Sequence, residues 1–140
     1  MSARSFVDTN VLVYLFDADT PDKQARAREL VATRGPAGEL VLSTQVLQEF
    51  FVTVTRKLER PLSIESAEGA VRRLAAYPVV TTTVGLVMAA ISVLRAHKIS
   101  FWDALIVAAA REAGCDELLS EDLGDGATVA GVRVRNPFRD

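Results

Sequence analysis

Two aspartates of this 140-residue chain stand directly behind short apolar runs: Asp8 follows Ser5-Phe6-Val7, and Asp122 comes just after Leu118-Leu119-Ser120. If those runs are strands, both carboxylates fall at the edge of a sheet, near water and close to oriented backbone dipoles. That setting suits a metal or phosphate site. Asp8 would serve equally as the N-cap of a helix beginning near Thr9 or Asn10. A third acid, Asp103, lies in the first turn of a helix that continues Ala104-Leu105-Ile106-Val107-Ala108-Ala109-Ala110, so its charge needs a partner. Ser100-Phe101-Trp102-Asp103 matches a capping box. The two roles are compatible, because the positive end of the helix dipole keeps a carboxylate ionised for a metal. Carboxylates gathered at one point are hard oxygen ligands of the kind that select Mg²⁺ or Mn²⁺.

Other chemistries lack their parts. His97 is the single histidine, so paired imidazole acid and base catalysis has no second member, and helix-end placement near a C-terminal dipole is the simpler reading of it. No serine has a histidine in a recognisable triad arrangement. Cys115 is the single cysteine, which excludes an intrachain disulfide and a thiolate zinc cluster. A net charge of −2 argues against coating nucleic acid by bulk electrostatics, but it does not exclude a nuclease whose metal-binding acids lower the total. Arg56, Lys57 and Arg60, or Arg133 and Arg135, are local basic groups that could meet phosphates or merely line solvated faces. No signal-peptide core precedes Val7 and no apolar run reaches the length of a bilayer span, so the expectation is a soluble cytoplasmic protein with no membrane contact.

The elements that must position these acids follow from periodicity. Strands are expected at 5–7, 39–42, 79–83, 117–119 and 132–134. Helices are expected after Asp8 through Phe16, from Pro21 to the Gly35-Pro36-Ala37-Gly38 breaker, from Thr44 toward Pro61, and over 63–76, 84–98 and 101–113. Strands alternating with helices predict a parallel α/β sheet covered on both faces, with ligands beyond the carboxyl ends of the strands. Helical projection groups Glu49 with Gln45 and Arg56, away from the Leu47, Phe50, Val54 stripe, so on pattern alone it is a surface residue. Glu121 and Asp125 flank Asp122 in a loop of turn-forming residues.

Taken in order, Val7-Asp8-Thr9-Asn10-Val11-Leu12, Gln48-Glu49-Phe50, Ser100-Phe101-Trp102-Asp103-Ala104-Leu105-Ile106 and Leu119-Ser120-Glu121-Asp122 resemble the signature blocks of PIN-domain ribonucleases. The closest likeness is to VapC-type toxins. The closing Asn136-Pro137-Phe138 fits too, so the resemblance spans nearly the whole chain. It implies one PIN-like domain over residues 1–140, a three-layer α/β sandwich with a short, mainly parallel sheet. It also implies an acidic quartet, Asp8, Glu49, Asp103 and Asp122, acting as catalytic groups and as ligands for Mg²⁺ or Mn²⁺. Thr9 and Ser120 occupy supporting polar positions, and Glu121 or Asp125 could share or replace the role of Asp122. The implied activity is a divalent-metal-dependent endoribonuclease hydrolysing RNA, with a cognate antitoxin partner and a homodimeric state. Leu12, Leu15 and Phe16 on the early helices would supply part of an apolar docking surface.

Two other readings remain at this point. A haloacid-dehalogenase-like phosphatase would use Asp8 as nucleophile, but its pattern wants a second Asp where Asn10 stands. A catalytically degenerate PIN-like interaction module would be free to lose carboxylates that repel one another without metal.

Overall fold

The computed structural model describes residues 3–139. In chain order the elements are β1 (Ser5–Val7), α1 (Thr9–Tyr14), α2 (Pro21–Arg34), β2 (Leu40–Ser43), α3 (Thr44–Arg56), α4 (Ile64–Leu74), β3 (Val79–Val80), α5 (Val84–Ala96), α6 (Phe101–Glu112), β4 (Glu117–Leu119), β5 (Thr128–Val129) and β6 (Val132–Arg135). The sheet order is β3-β2-β1-β4-β6-β5, and the β5–β6 hairpin is the antiparallel pair in an otherwise parallel sheet. Phe6 registers with Val41 on one side and with Leu118 on the other. The expected α/β architecture is therefore present.

The topology decides where a ligand can go. From β1 the chain builds outward through β2 and β3, then crosses back to lay β4 against the other side of β1. Strand order thus reverses between β1 and β4, and their carboxyl ends, at Val7 and Leu119, open on a crevice. Every residue of β1 and β2 is buried, as expected of parallel strands covered on both faces. Phe6, Phe50, Leu12, Leu42 and Leu118 are among the largest fully buried side chains. Residues 104–110 of α6 are buried without interruption, so this helix packs on several sides, with Asp103 in its first turn.

Four helices begin in the same way, with a hydroxyl of Ser43, Ser63, Thr83 or Ser100 accepting a hydrogen bond from the backbone N–H three residues later. This explains why the third strand stops at Val80, short of the expected Thr83. Thr83 is the cap of α5, and Thr82 is tied through its N–H to Thr44 Oγ1 at 3.2 Å. Helix α1 ends at Tyr14, two residues early, where Leu15 and Phe16 close tight turns onto Leu12 and Val13. Helix α3 gives way at Lys57, ahead of Pro61. Among the described residues no single helix is long and apolar enough to cross a membrane.

Strand β5 has no clear sequence signal. It pairs Val129 with Val132 across a two-residue loop, Ala130-Gly131, in which both residues have positive φ, 51° and 86°. Such a primed turn is normally marked by Asn-Gly or Asp-Gly, and alanine pays a steric cost there. Replacing Ala130→Gly should therefore raise stability by about 0.5–1 kcal/mol in urea denaturation, the strain relieved exceeding the entropy lost. A lower denaturation midpoint would show that Ala130 contributes more by its packing than it costs in strain.

Candidate active site

Asp8 follows β1 and is only 5% exposed. Its Oδ1 accepts from the Thr9 N–H at 2.7 Å, making it the cap of α1, while Oδ2 accepts from Ser120 Oγ at 2.7 Å. The capping reading and the site reading of Asp8 therefore hold together. The Asp8 backbone N–H continues the ladder to Leu119 O at 3.0 Å, so the two strand ends are joined by both main chain and side chain. Ser120 Oγ also accepts from the N–H groups of Asp122 and Leu123, at 3.2 and 3.3 Å, which folds the chain after β4 into a tight turn.

Each of the other acids is held near this seam. Glu49 on α3 accepts from Thr9 Oγ1 at 2.7 Å and from Gln45 Nε2 at 3.3 Å. Gln45 also donates to the Trp102 carbonyl at 3.1 Å, which ties α3 to the start of α6 beside Asp103. Asp122 accepts from Asn10 Nδ2 at 3.0 Å, and Asn10 Oδ1 accepts from the Glu121 N–H at 3.2 Å. The Asp103 N–H donates to Ser100 Oγ at 3.1 Å, so the helix-start half of the capping box is present.

The charges act on one another. Burial, the largest influence, pushes the Asp8 carboxyl up to about 6, hydrogen bonds from Ser120 and Thr9 pull it back, and the charges of Asp122 and Glu49 raise it further. Burial likewise raises Asp103, opposed by Ser100 and reinforced by the same two carboxylates. Asp122 and Glu49 thus act on both, and the structure brings the four predicted acids into one electrostatic group. Among the described residues, however, no three carboxylate, imidazole or thiol groups close on one point as a ready-made metal cage. The oxygens of Asp8, Glu49 and Asp122 are engaged with Ser120, Thr9, Gln45 and Asn10 instead.

Glu121 and Asp125 lie outside this group. Tyr14 donates to Glu121 Oε1 at 2.7 Å and Lys23 forms an ion pair with the same carboxylate. Burial would raise Glu121, but the bonds from Lys23 and Tyr14 outweigh it and hold its carboxyl below the usual range. Asp125 accepts from the Asn136 N–H at 2.8 Å and faces Arg139. The sequence missed Asn10, Gln45, Tyr14 and Lys23 as positioning groups. Asn10 had a local signal in its place two residues after Asp8; the Lys23–Glu121 pair spans most of the chain and had none.

Leu12, Leu15 and Phe16 do not form the apolar docking surface expected of them. Leu12 and Leu15 are core residues, and Phe16 packs edge-on against Phe50 with ring centroids 5.5 Å apart. An apolar groove opens instead between α3 and α4, lined by Leu47, Phe51, Val52, Ile64 and Val71. The α4 helix turns its apolar stripe toward α3 and leaves this edge uncovered.

The raised Asp8 carboxyl has a consequence for stability. The folded chain holds that proton more tightly than the unfolded chain, so the contribution is full below about pH 4 and is lost as pH rises through about 6. A displacement of this size corresponds to on the order of 3 kcal/mol. In chelator, Asp8→Asn should therefore gain stability relative to the parent by on the order of 3 kcal/mol between pH 4 and pH 7.5. Urea denaturation at both pH values checks this, and a difference that does not change with pH would contradict the assignment.

The PIN-domain family model matches residues 5–124, a span that takes in all four acids. The chain is similar to the crystal structure of VapC20 from Mycobacterium tuberculosis, described as a sarcin-ricin loop cleaving toxin, at 26% identity, covering 84% of this chain and 89% of that one with a TM-score of 0.65. It shares its fold with a chain of a toxin-antitoxin complex from Klebsiella pneumoniae, at 19% identity over 95% and 97% of the two chains and a TM-score of 0.71. The same holds for a chain of the DNA-bound VapBC from Salmonella typhimurium, at 13% identity over 97% and 99% and a TM-score of 0.66. No curated protein sequence matches the chain closely enough to count as a relative. The phosphatase reading of Asp8 loses its ground here, since Asn10, where that pattern wants a second acid, is clamped between Glu121 and Asp122. With the strand switch between β1 and β4, the acids grouped at its mouth and the family match over most of its length, this chain belongs to the PIN-domain family.

Proposed function

We propose that the chain is a divalent-metal-dependent endoribonuclease, the toxin of a toxin-antitoxin pair. The observation that carries the reading is the buried Asp8 at the strand switch, hydrogen-bonded to Ser120 and Thr9 and coupled to Asp122 and Glu49, which also act on Asp103. The donor chemistry fits a hard cation: the set is all oxygen, and its mutual repulsion is what a divalent ion relieves. Gln45 Oε1 adds a buried oxygen with no hydrogen-bond partner among the described residues, on a side chain that bonds Glu49. Asp8, Glu49, Asp103 and Asp122 would hold Mg²⁺ or Mn²⁺, directly or through water. When bound, the ion supplies neutralising charge for the phosphodiester and makes water easier to deprotonate.

The chain's own groups orient the acids. Ser120 fixes Asp8 Oδ2, Thr9 fixes Glu49, and Asn10 fixes Asp122, so each backbone position is set while the carboxylates must still turn toward a shared ion. The apolar α3–α4 groove is suited to an amphipathic segment of the antitoxin. The exposed Val84 and Met88 on α5 support association with a second copy. An RNA substrate agrees with a cytoplasmic location.

Purified, partner-free protein incubated with mixed cellular RNA should cleave it in Mg²⁺ or Mn²⁺ and not in chelator. Asp8→Asn and Asp103→Asn should each lose more than the roughly 10–100-fold that removing a merely orienting group costs. Metal-independent cleavage, or variants as active as the parent, would sink this reading, and circular dichroism of the variants excludes misfolding as the cause.

A further inference from the structure

A cleft of about 590 Å³ opens from the acidic group and runs between α1 and α3. On the α3 wall Glu49, Thr53 and Lys57 follow one another at four-residue spacing, and on the other wall Thr9 and Val13 stand one turn apart on α1, with Asp17 in the loop beyond it. The α3 ridge therefore leads from Glu49 to Lys57, eight residues and about 12 Å along the helix axis. The structure sorts the basic residues that the sequence could not. Arg60 pairs with Asp19, Arg135 pairs with Glu117, and Arg133 faces a different hollow beside Asp116. Lys57 is the cation that lines this cleft; its backbone N–H caps α3 on the Thr53 carbonyl at 2.8 Å, while its exposed side chain has no hydrogen bond or ion pair to any described residue.

We propose that this cleft seats an unpaired stretch of RNA adjoining the scissile phosphate, with Lys57 holding a backbone phosphate at the far end. The inference rests on the nuclease reading above and gives its substrate a path. A polyanion entering a cleft lined by Asp17, Glu49 and Asp122 needs a fixed positive charge away from the metal ligands, and Lys57 supplies it. Asp17 on the opposite wall repels the backbone toward the α3 side. Val13 and Val52 offer apolar contact to a base, and Gln48 and Thr53 offer hydrogen bonds to its edge. A slot between two helices admits a flexible strand with splayed bases, whereas a duplex keeps its base edges paired and cannot enter.

The test measures cleavage of a labelled single-stranded RNA of mixed sequence in Mn²⁺, and binding of the same RNA in chelator over a range of salt, for the parent, Lys57→Gln and Lys57→Arg. The expected result for Lys57→Gln is a KM raised about three- to tenfold with kcat little changed, and a salt slope of binding smaller by about 0.7. Lys57→Arg should restore both, thermal unfolding should be the same in all three, and a duplex of the same sequence should compete poorly. Unchanged KM, binding and slope in Lys57→Gln would overturn the proposal and leave the cleft to a protein partner; a duplex that competes as well as the single strand would overturn it too. The nuclease reading is judged separately by the parent. A parent that binds RNA through Lys57 but cleaves none keeps the cleft and discards the nuclease, and one that neither binds nor cleaves discards both.

Discussion

Across the seam where β1 and β4 meet, the Ser120 hydroxyl donates to Asp8 Oδ2 at 2.7 Å, while Asp8 Oδ1 takes the first free N–H of α1. Removing this carboxylate from water is costly, and its two hydrogen bonds only partly offset that cost. The surrounding architecture follows from the need to hold it. The parallel register of β1 on β4 sets Val7 opposite Leu119, so the residues that follow, Asp8 and Ser120, meet at the mouth of the switch point. The same serine oxygen then bends the following turn and brings Asp122 to the crevice.

Around this buried charge the chain spends neutral polar groups rather than cations. Thr9, Asn10 and Gln45 each donate to a carboxylate or to the backbone beside one, which fixes positions without cancelling charge. The cations that do approach are kept one step back. Lys23 is occupied with Glu121 and lies over the rings of Tyr14 and Phe138, so it pins the turn after β4 from outside and leaves Asp122 unneutralised. A set of acids left mutually repelling in this way is unfavourable in the free protein and favourable to any divalent ion that joins them.

Much of this was legible in the sequence where a local pattern coincided with a physical need. Apolar runs ending in Asp8 and in Ser120 gave the strand ends, and Ser100 three residues before Asp103 gave the helix start. Glu49 was not legible from periodicity, because helical projection showed only that it faces away from the core stripe; its place came from the family resemblance. Interactions between distant segments were invisible: the Tyr14–Lys23–Glu121 contact and the Gln45 bridge from α3 to α6; the local Ala130-Gly131 hairpin was missed because alanine stands where asparagine or aspartate usually precedes the glycine. The early-helix docking surface failed for a related reason, since Leu12, Leu15 and Phe16 form a stripe that looks the same whether it meets the core or a partner.

The central claim is that these four acids form one site for a hard cation, although in the free protein their oxygens are engaged with neighbouring donors. A crystal soaked in MnCl₂ and measured for anomalous scattering tests it directly. The account predicts a manganese peak at the carboxyl ends of β1 and β4, bonded to oxygens of at least two of Asp8, Glu49, Asp103 and Asp122. No peak there at a saturating concentration of ion, or manganese bound only at other surface carboxylates, would contradict it.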